Sequence, residues 1–304
     1  MIERLCIVGC GLMGGSFALA LRQAGLVRHI AGYSRSAASS QRALALGVID
    51  EACATAAEAA RGADVVLLSV PVASTLTVLQ DLRDTLAPEA LCMDVGSTKR
   101  DVADAARLAL GSDLRAFVPA HPIAGKERAG VDAADVQLYR GRRVILTPLP
   151  ETDPARTLRA SELWEAVGAT VSHMTPQAHD RAFAAVSHLP HLLAFAYMAG
   201  VARQADGGHL LSMAGPGFRD FTRIAAGEPA MWRDILLANR DELQGQLAHF
   251  RRALEAIERC MQAGDGQALV SQIQTASRLR SGWQMQGGLA PEAADGPEAP
   301  GTEH

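Results

Sequence analysis

Residues 5–14 read LCIVGCGLMG and join a short apolar run to a glycine-rich turn. The pattern G-x-G-x-x-G follows a predicted strand and opens a predicted helix over residues 16–24, which is the setting that the motif requires. The first glycine allows a tight turn, the second lets the backbone approach a pyrophosphate, and the third lets helix and strand pack closely. Unpaired N–H groups at the helix N-terminus favour phosphate binding. The candidate cofactor contacts in this turn are Gly9, Gly11, Leu12, Met13 and Gly14.

Further apolar runs alternate with helical patterns through the first half of the chain. This alternation indicates right-handed βαβ units and a mostly parallel sheet, and therefore a Rossmann-type α/β domain. Continuous apolar strands agree with it, because parallel strands are covered on both faces. The predicted strands are residues 5–8, 30–33, 65–70, 91–95, 115–120, 143–146 and 169–171. Two residues at the end of the third strand, Ser69 and Val70, are further candidate cofactor contacts.

The sequence changes character near residue 174. Thr175 and Pro176 are a helix-start signal, because a capping side chain precedes proline at the first helical position. From there to about residue 284 we find no good strand, and helices are predicted over 177–203, 229–263 and 266–282. The prediction is a dinucleotide-binding domain over 1–174, an all-helical domain over 175–284 and a disordered Gly-, Pro- and Glu-rich tail over 285–304.

The composition argues against several classes of protein. Of the 304 residues, 48% are hydrophobic and 20% charged, which is typical of a soluble globular chain. A net charge of −4 without a basic stripe argues against a nucleic-acid partner. We expect no apolar run to reach the ~20 residues that span a bilayer, and no signal peptide is evident. The five scattered cysteines predict reduced, buried thiols, so we expect a cytoplasmic protein.

The end of the second predicted strand bears on the choice of cofactor. Folds that bind NAD usually place an acidic residue there to accept the ribose 2′-hydroxyl. This chain has Ser34 and Arg35 at that point, and a hydroxyl beside a guanidinium suits a 2′-phosphate. The pattern therefore favours NADP, with NAD bound without the acid as the open alternative.

Two clusters contain histidines. In the first, HPIAGKE at 121–127, Pro122 disfavours the helical conformation of His121, which should therefore be extended at a strand end. In the second, SHLPH at 187–191, the proline should kink or interrupt a helix beside two histidines. A zinc site formed by the three histidines is disfavoured, because no cysteine lies nearby and no HExxH pattern is present.

A third cluster, GFRDFTRIA at 217–225, contains three charged residues within about one helical turn. Arg219, Asp220 and Arg223 could form an internal ion pair. Alternatively, one guanidinium could bind a substrate carboxylate. The residues alone leave both interpretations open.

Taken together, the ordered runs of this chain resemble the prephenate/arogenate (cyclohexadienyl) dehydrogenase family of tyrosine biosynthesis. The runs are GCGLMGGS at 9–16, DVGSTK at 94–99 and the three clusters described above, and the resemblance covers about residues 3–284. It implies oxidative decarboxylation of prephenate to 4-hydroxyphenylpyruvate, with hydride transfer to NAD(P)+ and no metal. Arogenate dehydrogenase, which gives tyrosine directly, remains the alternative. The resemblance also implies a homodimer formed by the helical domain.

The family resemblance implies roles for individual residues. His121 would be the general base for the ring hydroxyl, and Ser97 would assist beside the nicotinamide and that hydroxyl. Arg223 would bind a substrate carboxylate. The other residues with implied substrate contacts are His188, His191, Glu127, Arg219, Asp220 and Trp232, the last presented by a partner subunit.

Two rival functions can be weighed on the sequence. A β-hydroxyacid dehydrogenase would need a catalytic lysine in its second domain, and residues 175–284 contain no lysine. A catalytically inactive NADP(H) sensor would keep the glycines but would not need His121, Ser97 and Arg223 together. All three are present, which favours an enzyme.

Overall fold

The structure is a computed structural model that describes residues 1–126, 128–285 and 288–289. The described residues form two compact units, one up to residue 246 and one from residue 247 onward. Glu127 lies outside the described residues, and so does the predicted disordered tail apart from residues 285, 288 and 289. The predicted division of the chain at residue 174 stays a prediction.

A six-stranded parallel sheet forms the centre of the first unit, with strand order β3-β2-β1-β4-β5-β6. This order confirms the predicted Rossmann-type fold, and it reverses direction between β1 and β4, where such sheets bind their ligands. The strands are β1 Ile2–Val8, β2 Val27–Tyr33, β3 Glu51–Ala52, β4 Val65–Leu68, β5 Leu91–Asp94 and β6 Phe117–Val118. The intervening helices are α1 Leu12–Gln23, α2 Ala37–Ala45, α3 Ala56–Ala60, α4 Thr75–Leu82 and α5 Arg100–Leu110.

Strand β1 shows why these strands are apolar throughout. Leu5 and Ile7 pack into the core on one face of the sheet, while Cys6 and Val8 pack into the core on the other. Successive side chains of a strand point to opposite faces, so burial on both faces requires a continuous apolar run. Four of the five cysteines are buried, and Cys260 is only partly buried, which differs from the expectation that all are buried.

A second, three-stranded sheet has the order β7-β8-β9, with β7 Ala120–Pro122, β8 Arg143–Leu146 and β9 Thr170–His173. The predicted single strand over 115–120 is wrong in detail. Residues Gly111–Ala116 form a 3₁₀ turn, and the extended segment is divided at Pro119 between β6 and β7. Proline has no N–H to donate to a ladder, so the chain leaves one sheet there and joins the next. Helix α6, Pro154–Ala166, joins β8 to β9.

Helices follow from residue 176 as predicted. The side chain of Thr175 accepts a hydrogen bond from the N–H of Ala178, with Pro176 at the first helical position. The remaining helices of the first unit are α7 Pro176–Phe183, α8 Leu189–Ala202, α9 Gly207–Ser212, α10 Pro216–Thr222, α11 Pro229–Ala238 and the first part of α12 Arg240–Gln262. Asn239 divides the helix that was predicted as continuous over 229–263.

The second unit contains the remainder of α12, helix α13 Gly266–Gly282 and a short antiparallel pair of strands. The pair joins β10 Trp283–Gln284 to β11 Gly288–Leu289. The sequence did not predict β10, because two residues are too short a run to show a strand period.

The helical run Pro176–Ala202 corrects one expectation. It is 27 residues long, and within the described residues it is long and apolar enough by length and composition to cross a membrane. Core helices of globular proteins pass the same test. This run also carries His179 and Asp180, which are buried and hydrogen-bonded to other parts of the unit.

Candidate active site

The glycine-rich turn connects β1 to α1 and lies against the residue that follows β4. Gly9 has φ +99°, and a Cβ atom there would lie 2.2 Å from the carbonyl oxygen of Ser69. Gly14 donates its N–H to Ser69 Oγ at 3.0 Å, and a Cβ atom on Gly14 would lie 2.6 Å from the carbonyl oxygen of Gly9. A Cβ atom on Gly11 would meet no described atom within 4 Å, so open space lies over the helix N-terminus. This geometry fits a bound pyrophosphate.

Ser34 lies beside the same turn at the end of β2. Its Oγ accepts the N–H of Cys10 at 2.9 Å, which leaves the hydroxyl proton available for another acceptor. Arg35 follows it and is exposed. Both residues therefore follow directly on β2, next to the phosphate-binding turn.

A buried ion pair fixes the start of β7. Lys99 is fully buried, and its Nζ donates to Asp94 Oδ2 at 2.5 Å and to the carbonyl oxygen of Ala120 at 2.9 Å. Asp94 Oδ1 accepts the N–H of Ala120 at 2.9 Å, and Oδ2 accepts the N–H of Gly96 at 2.7 Å. The pair therefore holds both backbone groups of the residue before His121.

His121 is one end of a chain of three buried, hydrogen-bonded side chains. Its Nδ1 is hydrogen-bonded to Nε2 of His179 at 2.8 Å, and Nδ1 of His179 is hydrogen-bonded to Asp180 Oδ1 at 2.7 Å. Asp180 also accepts two backbone N–H groups, that of Lys99 at 2.8 Å and that of Arg100 at 2.9 Å. We call His121, His179 and Asp180 the relay.

Burial sets the protonation of the relay. It holds the pKa of His121 well below the ordinary value of 6.5, and the nearby His179, Lys99 and His188 add to that lowering. Burial also lowers the pKa of His179, against the opposing effect of Asp180. Burial alone would raise the pKa of Asp180, but hydrogen bonds from His179 and two backbone N–H groups outweigh it and lower that pKa. Both imidazoles are therefore neutral and the carboxylate is ionised near neutral pH.

His188 ends a π-helical segment, Ala184–His188, directly before α8. The predicted interruption near Pro190 is thus observed as this π-helical segment, which ends two residues before the proline. Asn239 Nδ2 donates to the backbone oxygen of Asp180 at 2.8 Å and lies 3.1 Å from His188 Nδ1. Burial lowers the pKa of His188 to about 4, and the backbone of Ser97 lies near enough to oppose that shift. Within the described residues, His188 Nε2 makes no hydrogen bond of standard geometry.

His191 and Trp232 form a second group beside His188. Their rings are stacked with centroids 3.7 Å apart, and the rings of His188 and Trp232 lie 6.3 Å apart. Burial lowers the pKa of His191 against the opposing hydrogen bond to the backbone of Ser187, and the positive charge of Arg223 adds to the lowering. Trp232 is itself buried in this chain, whereas the family resemblance implied an aromatic residue presented to a partner subunit.

Three predicted residues are not joined to this group by a described contact. Arg219 and Asp220 are exposed and pair with each other at 3.2 Å, which is the internal ion pair that the sequence left open. Glu127 lies outside the described residues. No group of three or more His, Cys, Asp or Glu side chains within the described ranges is arranged to hold a metal ion.

Sequence reasoning missed the residues that support His121. Asp94 and Lys99 lie in the run DVGSTK, directly after an apolar strand. A lysine so near a buried strand could have indicated a buried ion pair, because lysine is almost never fully buried unless it is paired. His179, Asp180 and Asn239 carried no comparable signal, because their partners lie far along the chain.

The fold and these side chains define a class of protein. A parallel sheet with a phosphate-binding turn at its switch point, and a buried neutral histidine past its carboxyl edge, is typical of a nicotinamide-dependent oxidoreductase. Two family models match the chain: "Prephenate dehydrogenase, nucleotide-binding domain" over residues 17–173 and "Prephenate dehydrogenase, dimerization domain" over residues 175–275. The chain belongs to the prephenate dehydrogenase family.

Individual relatives agree with this assignment. Prephenate dehydrogenase of Bacillus subtilis is 34% identical over 99% of this chain and 83% of its own length. The crystal structure of Aquifex aeolicus prephenate dehydrogenase with hydroxyphenyl propionate and NAD+ has a TM-score of 0.87 and 35% identity, covering 92% of this chain and 98% of that one. Synechocystis arogenate dehydrogenase has a TM-score of 0.78 and 28% identity, covering 92% and 99%.

Proposed function

We propose that this protein is a prephenate dehydrogenase that converts prephenate to 4-hydroxyphenylpyruvate and CO2 with reduction of NAD(P)+. Its family supports this reaction. The observation that carries the proposal is the position of His121, a buried imidazole past the carboxyl edge of the dinucleotide-binding sheet. That edge is where such sheets bring a nicotinamide to its substrate.

The reaction requires a side chain that can accept the hydroxyl proton of the substrate and later return it. The bound cofactor supplies a hydride acceptor. As the carbinol carbon of prephenate loses hydride, its hydroxyl becomes acidic, and His121 accepts that proton. The bond to the ring carboxylate then breaks, its electron pair enters the ring, CO2 leaves, and the phenolate oxygen takes the proton back. A neutral imidazole suits both transfers.

The remaining side chains orient the substrate. Arg223 provides a guanidinium that can bind a carboxylate in bidentate fashion. Nδ1 of the neutral His191 ring donates to the carbonyl oxygen of Ser187 at 2.9 Å, so its Nε2 can accept a hydrogen bond from substrate. Ser97 would contact the hydroxyl and the nicotinamide. His188 and Trp232 would line the pocket. The family resemblance implies that Glu127 and Asp220 form an ion network with Arg223 at its entrance, and it assigns no definite role to Arg219.

Replacing Arg223 with alanine is expected to raise KM for prephenate by about tenfold to a hundredfold, because one charge-assisted bidentate contact is worth about 1.5–3 kcal/mol. KM for the cofactor should change little. Steady-state kinetics with each substrate varied in turn measure both constants, and Arg203→Ala, at an exposed arginine that caps α8, is the matched control. An equal rise in both KM values would contradict a substrate contact.

We infer a preference for NADP. Ser34 can donate its hydroxyl proton while accepting the Cys10 N–H, and Arg35 is exposed beside it, so together they offer a donor and a cation to a 2′-phosphate. The Aquifex aeolicus structure contains NAD+, so NAD is the second candidate.

The double substitution Ser34→Asp with Arg35→Ala is expected to shift the ratio of kcat/KM for NADP over NAD toward NAD by at least about tenfold. A carboxylate at position 34 would repel the 2′-phosphate and accept the 2′-hydroxyl of NAD. Arg28→Ala, at an exposed arginine toward the other end of β2, is the control. An unchanged ratio would remove the 2′-phosphate from this site.

One assay separates the remaining alternatives. Purified protein is given prephenate or arogenate, each with NAD or NADP, and reduced nicotinamide is followed by absorbance. Reduction with arogenate alone would make the protein an arogenate dehydrogenase. Cofactor binding without reduction of any pair would indicate an NADP(H) sensor.

The family supports a proposal for the assembly of the protein and for its location. The second family model describes a dimerization domain, and exposed apolar side chains on the helices, among them Val186, Tyr197 and Leu237, suit a protein contact. We infer a cytoplasmic homodimer with no nucleic-acid or membrane partner.

A further inference from the structure

Resting on the proposed function, we infer that His179 and Asp180 are positioning residues that fix the tautomer of His121, with its proton on Nδ1 and its lone pair on Nε2. The relay thereby prepares His121 to accept a proton from substrate. The hydrogen-bond contacts of Asp180 determine which nitrogen of His179 carries its proton, and those of His179 then determine the same for His121.

Asp180 can only accept hydrogen bonds. Its Oδ1 receives the N–H of Lys99 at 2.8 Å, and its Oδ2 receives the N–H of Arg100 at 2.9 Å. Two backbone donors stabilise the ionised carboxylate, which has no proton to give. The third contact, from His179 Nδ1 to Oδ1 at 2.7 Å, must therefore carry its proton on the nitrogen.

The tautomer of His179 then determines that of His121. A neutral imidazole has one N–H, so His179 with its proton on Nδ1 presents a lone pair on Nε2. Nδ1 of His121 lies 2.8 Å from that lone pair and must donate to it. Nε2 of His121 is left unprotonated, as a general base requires.

The surroundings of the relay keep both rings neutral. The ring of Phe183 stacks on His179 with centroids 4.4 Å apart and lies 4.8 Å from the ring of His121. The fully buried Lys99 places a positive charge nearby, which disfavours a second one on either ring. At His179, burial and this charge outweigh the opposing carboxylates of Asp180 and Asp94. A cationic His179 donating from both nitrogens, the other arrangement that would satisfy the distances, is disfavoured by this environment.

The relay also acts during turnover. When His121 takes a proton on Nε2, its Nδ1–H still donates to His179, and His179 still donates to the ionised Asp180. The two hydrogen bonds point the same way, so their dipoles stabilise the positive charge on His121 without any further proton transfer. The logic is that of a histidine oriented by a carboxylate, with a second imidazole interposed.

The decisive measurement is nitrogen NMR of the full-length protein labelled with ¹⁵N-histidine, because imidazole nitrogen shifts distinguish protonated from unprotonated nitrogens. The His121→Asn variant assigns the His121 signals among those of the nine histidines. We expect Nδ1 of His121 to be protonated in the wild-type protein and in His179→Gln, whose amide oxygen can still accept. In His179→Leu the preference for Nδ1 should be lost.

Kinetics supply the second readout. His179→Leu is expected to lower kcat by about tenfold to a hundredfold, the usual cost of losing an orienting partner, while KM for both substrates changes less than about threefold. His179→Gln should recover most of that loss, and His173→Leu, the same substitution at an exposed histidine of β9, should be neutral.

Each outcome bears on the inference. A proton on Nε2 of wild-type His121 overturns it even if the variants do not fold, and so do equal losses of kcat in the leucine and glutamine variants. The NMR readout needs no turnover. Protonated Nδ1 in a protein that reduces no cofactor with prephenate or arogenate would support the relay and reject the proposed function.

Discussion

Replacing His121 with asparagine is expected to lower kcat by about two to four orders of magnitude, the usual contribution of a general base, while the protein stays folded. Asparagine can fill the site and keep a polar contact with His179, but it cannot accept a proton near neutral pH. Steady-state rates with saturating prephenate and cofactor, beside a thermal melt monitored by circular dichroism, test this. A rate within about threefold of the wild type would exclude His121 as the base.

The pH profile gives a second test of the same role. His121 acts in its neutral form, and burial holds its pKa well below 6.5, with His179, Lys99 and His188 around it. The acid limb of kcat/KM should therefore lie below pH 6.5, with activity lost only as pH falls through the lowered pKa. An acid limb above pH 6.5 would contradict a buried neutral base.

Replacing Lys99 with methionine is expected to destabilise the protein by about 3–5 kcal/mol, the usual cost of removing one partner of a buried ion pair. The substitution would leave the buried Asp94 carboxylate without its cation and the carbonyl oxygen of Ala120 without its side-chain donor. Denaturant unfolding of the two proteins, compared at equal protein concentration, measures the difference.

The chain offers a matched control for this substitution, because it has one other lysine, Lys126. Lys126 pairs with Asp135 at 2.9 Å, and both side chains are more than one-third exposed. Lys126→Met should cost less than about 1 kcal/mol, since exposed ion pairs contribute little. Similar decreases in the free energy of unfolding for the two variants would show that burial does not make the Lys99 ion pair more important for stability.

Much of the fold could be predicted because its signals are local. A strand followed by G-x-G-x-x-G is recognisable within ten residues, and Thr175–Pro176 marks a helix start on its own. The division of residues 117–122 between two sheets could not be predicted, because it depends on β5 and β8, which lie on either side along the chain. Short strands take their partners from tertiary context.

In the candidate site, too, the residue with a local sequence signal was predicted and the residues with only distant contacts were not. His121 was found because the proline after it restricts its backbone and because it stands in a motif. The residues that set its protonation were not found: His179 comes 58 residues later, and Lys99 contacts Asp180 across 81 residues. Hydrogen bonds over such separations leave no periodic pattern in a single sequence.

The division of the chain at Pro119 has a consequence for the order in which the molecule matures during synthesis. The phosphate-binding turn is complete once β1, β2 and β4 have met, and this needs only the first seventy residues or so. His121 cannot take its final position until β8 has paired with β7 and Asp180 of α7 has accepted the N–H of Lys99. Segments fold from the N-terminus as they emerge, and distant contacts form slowly. A growing chain can therefore form its dinucleotide-binding turn well before its general base is in place.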